Sequence, residues 1–199
     1  MFHICSNLQG GLPVGPETGY PIGPTSENAM TFGTFSLNGH EYPLGHLDPF
    51  EVTVAAKDPL ASPAVLRVIC SHHVFSVKWD DNEHTADHEF TYNKERRAFC
   101  PVRYGCSIEI EDIVKYHING KAYVSKDGKG ISRHLFYAVA DSIPYPVVFD
   151  LAKAKHIPEV DGIMRIISAY QKPLLPARNK LQSINFARLV HQKCPPKTK

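Results

Sequence analysis

The 199-residue sequence predicts an α+β fold: antiparallel sheet(s), one main helix packed on a C-terminal β-meander, a flexible N-terminal arm and a basic C-terminal tail. Three observations carry this. Short runs rich in β-branched and aromatic residues recur between residues 31 and 170. One stretch in that interval has a sustained helical period, and the links after it are too short for crossovers. The 43% apolar content suits a core, and the chain lacks the bias of collagen-like, coiled-coil or uniformly disordered sequences. Its apolar runs fall far short of the roughly 20 residues of a membrane helix.

Residues 1–30 have no Lys or Arg and are punctuated by Gly10, Gly11, Pro13, Gly15, Pro16, Gly19, Pro21, Gly23 and Pro24. That composition blocks helix propagation and removes backbone donors, so an extended or disordered arm is expected. It lacks the basic start and apolar centre of a secretory signal, which makes a cytoplasmic protein the expectation. A single domain is expected over residues 31–172. Its first strands are residues 31–37 (TFGTFSL), 50–57 (FEVTVAAK), 65–70 (VLRVIC) and 73–79 (HVFSVKW), followed by a polar, acidic loop at 80–89.

The helix is expected from Ser107. Ser107 can cap the free N–H groups, Glu109, Glu111 and Asp112 suit the positive end of the dipole, and Gly120 suits the residue past the end. Ile110, Ile113, Val114 and His117 then share one face. Residues 121–125, 132–140, 145–151 and 162–170 read as strands joined by Gly- and Pro-containing links, hence the meander. Residues 173–199 form the basic tail, with a short helix expected at 183–192.

Charge divides the chain unevenly. Residues 1–150 carry 12 Lys+Arg against 18 Asp+Glu, a net of −6, whereas residues 153–199 carry 10 against two, a net of +8. A separated basic block is the footprint of a polyanion partner, because each cation set beside a phosphate releases a counterion. A solvated tail explains the same numbers.

Eleven histidines and five cysteines raise metal chemistry. Cys70-x-His72, His84-x3-His88 and Cys100-x5-Cys106 each offer a pair of zinc ligands, without the tight Cys-x2-Cys spacing of a zinc ribbon. Ordinary core and surface histidines are the competing reading, and reduced buried thiols are the simplest reading of the cysteines. Cys106 stands just before the expected helix start, where the dipole would lower a thiol pKa.

A basic and aromatic constellation runs through Arg96, Arg97, Phe99, Arg103 and Tyr104. Arginine forks suit phosphate and the rings suit stacked bases, so single-stranded RNA is a candidate ligand. The alternative is that Arg96 and Arg97 pair with Glu95, Glu89 or Asp87 and only orient the loop. Arg133 and His134 on one strand, and Arg165 and Tyr170 on another, supply similar groups. Arg165 and Tyr170 face opposite sides unless a bulge intervenes.

Two phrases carry resemblances. Residues 162–170 (GIMRIISAY) resemble the closing strand of BrnT-type and RelE/ParE-type bacterial toxins, with Tyr170 where their phrase has its second arginine. Residues 97–107 (RAFCPVRYGCS) resemble a phrase in a group of uncharacterised bacterial proteins. The toxin resemblance implies metal-independent mRNA cleavage by Arg, Lys, His and Tyr side chains. Such cleavage needs a base for the 2′-OH, cations for the phosphorane and an acid for the leaving group. His117 or His134 would be base or acid, with Arg103, Arg133 and Arg165 as cations. Tyr104 would stack a base, and Arg96, Arg97, Lys172, Arg178, Lys180 and Arg188 would hold the strand.

The expectation is therefore an RNA-interacting protein, an endoribonuclease in its enzymatic version, with no cofactor and no membrane partner. One alternative is a non-enzymatic module docking on a nucleic acid or an acidic protein partner through its tail. The other is a zinc-stabilised module built on Cys70, His72, His84, His88, Cys100 and Cys106.

Overall fold

The computed structural model describes residues 31–56, 61–92, 94–126 and 130–197. The expected arm at 1–30 lies outside them. A hairpin of β1 (Thr34–Leu37) and β2 (His40–Pro43) comes first. Asn38 and Gly39 both have positive φ, 51° and 76°, as the tight turn of a twisted hairpin requires. Then follow β3 (Phe50–Val54), β4 (Ala64–Cys70), β5 (Ser76–Lys78), β6 (Glu89–Tyr92) and β7 (Glu95–Phe99). Helices α1 (Pro101–Ser107) and α2 (Ile110–His117) precede β8 (Lys121–Lys126), β9 (Ser132–Ala140), β10 (Ile143–Lys153) and β11 (Gly162–Ala169). The described chain ends with β12 (Gln182–Asn185) and α3 (Phe186–Lys193).

The α+β expectation is realised around a seven-stranded sheet ordered β12-β8-β9-β10-β11-β4-β3. Strands β8 to β11 are the anticipated antiparallel meander. Pairing of β11 with β4 is parallel, from Gly162 opposite Leu66 to Ile166 opposite Cys70. A smaller sheet, β5-β7-β6, carries Phe99 and Ala98 into the core.

One face of the large sheet is aromatic and dry. Phe136 of β9 and Phe149 of β10 lie 4.7 Å apart, and Phe186 of α3 packs on them at 4.9 and 5.7 Å. The opposite face receives Tyr170, Lys172 and Leu175 and a small apolar cluster of Ala154, Val160 and Ile163. Gly162, where β11 begins, allows a close approach: a Cβ there would stand 2.5 Å from Cys194 Sγ.

Three local expectations need correction. The helical stretch starts at Pro101, not Ser107, because proline's missing N–H costs nothing in a first turn and its φ is already helical. Ser107 instead closes α1, donating its hydroxyl to the Tyr104 carbonyl at 2.7 Å and meeting His46 Nε2 at 2.7 Å. The run at 73–79 opens with a 3-10 turn, His72–Val74, capped by the Ser71 hydroxyl, so only Ser76–Lys78 is extended. In the C-terminal segment Ser183 and Ile184 pair with Tyr123 and Ala122 before the helix begins. That helix buries Phe186, Leu189 and Val190 in the core, so the segment drawn as a tail supplies part of it.

Candidate functional site

The residues expected to cleave RNA fall on different sides of the sheet. His134 stacks over Phe149, its ring centroid 6.0 Å away, and His117 lies flat on Phe136 at 5.0 Å. Both sit on the dry face. Burial first, then the charge of Lys193 for His134 and of Arg178 for His117, hold their pKa values below the usual histidine value.

Arg133, one residue before His134, points the other way and binds Asp150 of β10 at 2.6 Å. Arg165 stands opposite Asp150 in the β10–β11 register, on Arg133's face. Arg103, on α1, is committed to structure: its Nη1 donates to the carbonyls of His73 at 3.0 Å and Ser76 at 2.7 Å. Its guanidinium also lies over the Tyr170 ring at 4.7 Å, and burial lowers its pKa. The proposed acid and base are thus separated from Arg133 and Arg165 by the sheet itself.

Three members of the expected RNA-holding set are also spoken for. Arg96 pairs with Glu89 at 2.8 Å and Asp81 at 3.2 Å and stacks on Trp79 at 3.8 Å. Arg97 is buried, donating to Glu95 at 2.9 Å and to Ser76. Tyr104 is no stacking platform, because it packs among Tyr42, His46 and Phe99. Arg188 and Lys180 are exposed, on α3 and on a 3-10 turn.

Lys172 and Arg133 meet in a groove on the face opposite the aromatic core. The groove holds about 230 Å³ and is lined by Ser125, Lys126, Arg133, Leu135, Pro146, Val148, Ile167, Ser168, Tyr170, Lys172 and Leu175. Strand alternation builds it. Ser125 is opposite Arg133 across β8–β9, and Leu135 is opposite Val148 across β9–β10, so these side chains share a face.

An irregularity between Val148 and Phe149 leaves Ile167 as the extra residue of β11: Ser168 pairs with Val148, but Ile166 pairs with Phe149. This bulge resets the alternation, which brings Tyr170 to the side of Arg165. Beside the groove Tyr123 and Tyr137 meet at 6.3 Å, and the Arg178 guanidinium lies 6.0 Å from the Tyr123 ring. Three lining side chains are cationic and none is acidic. Sequence reasoning missed Ser125 and Lys126, although period-2 alternation in 121–126 against 132–137 was the signal for them.

The zinc set is not assembled. Cys70 is buried and its pKa is pushed up to about 12 by burial. Cys100 stands at the N-cap position of α1 without a side-chain bond to it, and Cys106 sits in that helix's last turn, where the negative end of the dipole cannot activate it; burial raises its pKa. His84 and His88 turn their Nδ1 atoms onto the N–H groups of Asp80 and Thr85 within their own loop. Among the described residues, one group of three possible ligands does have its donor atoms within 4.8 Å of one another: His72, His73 and Glu95.

Fold and groove together define an α+β protein with a groove lined by Lys126, Arg133 and Lys172 on one side of its main sheet. The chain belongs to the YjaZ family, whose model matches residues 34–194, from β1 to the end of α3. No curated protein and no solved structure matches it. The toxin-like resemblance of the β11 phrase finds no support in these comparisons. Among the described residues no helix is long and apolar enough to cross a membrane.

Proposed function

We propose that this chain is a non-enzymatic binding module that takes single-stranded RNA on the groove face of its large sheet. The observation that supports this is the lining itself: Lys126, Lys172 and Arg133, the last paired with Asp150 at 2.6 Å, with Ser125, Ser168 and Tyr170. Lysine and arginine neutralise phosphates and tyrosine offers a face to a base, a combination suited to single strands rather than to a duplex read through its grooves. Arg178, Lys180 and the neighbouring Tyr123 extend the same surface. Cleavage is set aside because His117 and His134 lie across the sheet from Arg133.

Binding of a fluorescent single-stranded RNA, followed by anisotropy over a range of salt, tests this reading. Affinity is expected to fall linearly on logarithmic axes, and Lys126→Ala or Lys172→Ala each to reduce the slope by about one. Point substitutions are needed, because deleting residues 173–199 would also remove Phe186 from the core. Salt-independent binding, or a slope unchanged in both variants, overturns the proposal. An acidic protein partner would show the reverse selectivity, capturing a polyglutamate peptide in preference to RNA.

A further inference from the structure

We propose that His72, His73 and Glu95 bind one borderline transition-metal dication of the zinc class. The two histidines come from the 3-10 turn between β4 and β5, and Glu95 is the first residue of β7. Folding thus brings together groups 22 and 23 positions apart, with one donor atom from each within 4.8 Å of the others. That spread is somewhat wider than a closed tetrahedron, whose metal–ligand bonds are about 2.0–2.2 Å, and rotation of the exposed Glu95 side chain can close it.

The second observation is independent of the clustering. His72 is only 6% exposed, yet neither Nδ1 nor Nε2 has a hydrogen-bond partner among the described residues. Buried polar atoms are almost always satisfied, so an imidazole with both nitrogens unmatched calls for a ligand. Its surroundings hold it in place: the His73 ring is 4.1 Å away and the Tyr92 ring 4.2 Å away.

Arg97 donates to Glu95 Oε1 at 2.9 Å, which orients the carboxylate and leaves its other oxygen for an ion. Hydrogen-bonded carboxylates of this kind recur around metal centres.

Arg97 and Arg103 also set the selectivity. Their charges oppose any dication as they oppose a proton. A hard ion such as Mg²⁺ gains too little from nitrogen ligands to overcome that repulsion, whereas Zn²⁺ binds imidazole strongly. Two histidines and one carboxylate leave a fourth tetrahedral position for water on the exposed Glu95 side. The ion would tie the turn after β4 to the small sheet.

Calorimetric titration of Zn²⁺ into the chelator-dialysed full chain tests the site, with Co²⁺ as the spectroscopic probe of geometry. One equivalent is expected, with tetrahedral Co²⁺ absorption and no competition from Mg²⁺. Glu95→Gln should weaken Zn²⁺ binding about tenfold or more, and His73→Ala should abolish it. The double variant His84→Ala/His88→Ala should bind like the parent. Glu95 is exposed, so its variant keeps the test valid where His72→Ala fails to fold, and circular dichroism checks each fold. Absence of stoichiometric binding, binding indifferent to both Glu95→Gln and His73→Ala, or binding lost only with His84 and His88 overturns the proposal.

Discussion

On one face of the seven-stranded sheet His134 lies over Phe149 and His117 over Phe136, with α3 adding Phe186 to the same cluster. On the other face, one residue back along the same strand, Arg133 lines a groove with Lys126 and Lys172. Two adjacent residues that look like one functional pair in the sequence thus work in opposite media. The dry face disfavours the charged form of histidine by burial; the wet face leaves cations to be screened and paired at the surface. Residue type alone does not announce a site, because strand parity decides which solvent each side chain meets.

That contrast can be broken in four ways, from largest effect to smallest. Phe136→Ala removes a fully buried ring touching three aromatic neighbours and should cost about 3–5 kcal/mol in denaturant unfolding. A loss below about 1 kcal/mol would mean the aromatic face is not the centre of the core.

Acid comes next. The folded-state pKa values of His72, His117 and His134 lie below the unfolded value, so the unfolded chain binds more protons in that window. Stability is fully present above about pH 6.5 and is lost as pH falls towards the folded value of about 3 for His72. Urea midpoints of metal-free protein should show that decline, and His72→Phe should flatten it; an unchanged profile in the variant would refute the assignment.

The third experiment swaps the faces. His134→Ala should lower stability by about 0.5–3 kcal/mol without altering RNA affinity, while Arg133→Ala should weaken RNA binding and change stability by no more than about 1 kcal/mol. The reverse pattern would show the groove assigned to the wrong side. The smallest effect belongs to Arg96→Ala, whose partners Asp81, Glu89 and Trp79 are all near the surface; its unfolding midpoint should match the parent's in thermal melts.

The meander was legible because β8 to β11 follow one another with short links, so neighbours in sequence are neighbours in space. The parallel pairing of β4 with β11 was not, since no local pattern records which distant strand fills an edge. Helix α1 escaped for a local reason: Gly105 weakens its helical signal over only seven residues, and Pro101 looks like a break although at a first position it is a start. The surface role of Arg96 was readable from the acids near it. Glu95 beside His72 and His73 was not, because cysteine spacing drew attention to sequence neighbours while β-pairing in the small sheet selected the partner.

Asp161 connects parts of the chain made at widely separated moments. Its carboxylate accepts from the backbone N–H of Val65 at 2.8 Å, 96 residues earlier, and of Lys197 at 2.7 Å, 36 residues later. During synthesis the β3–β4 hairpin must therefore wait with one edge unpaired until β11 emerges to cover it. Such an edge is a template for stray strands, and long-range closure of this kind is slow. Nascent chains stopped before residue 162 should self-associate, whereas those carrying β11 have the strand that closes the edge.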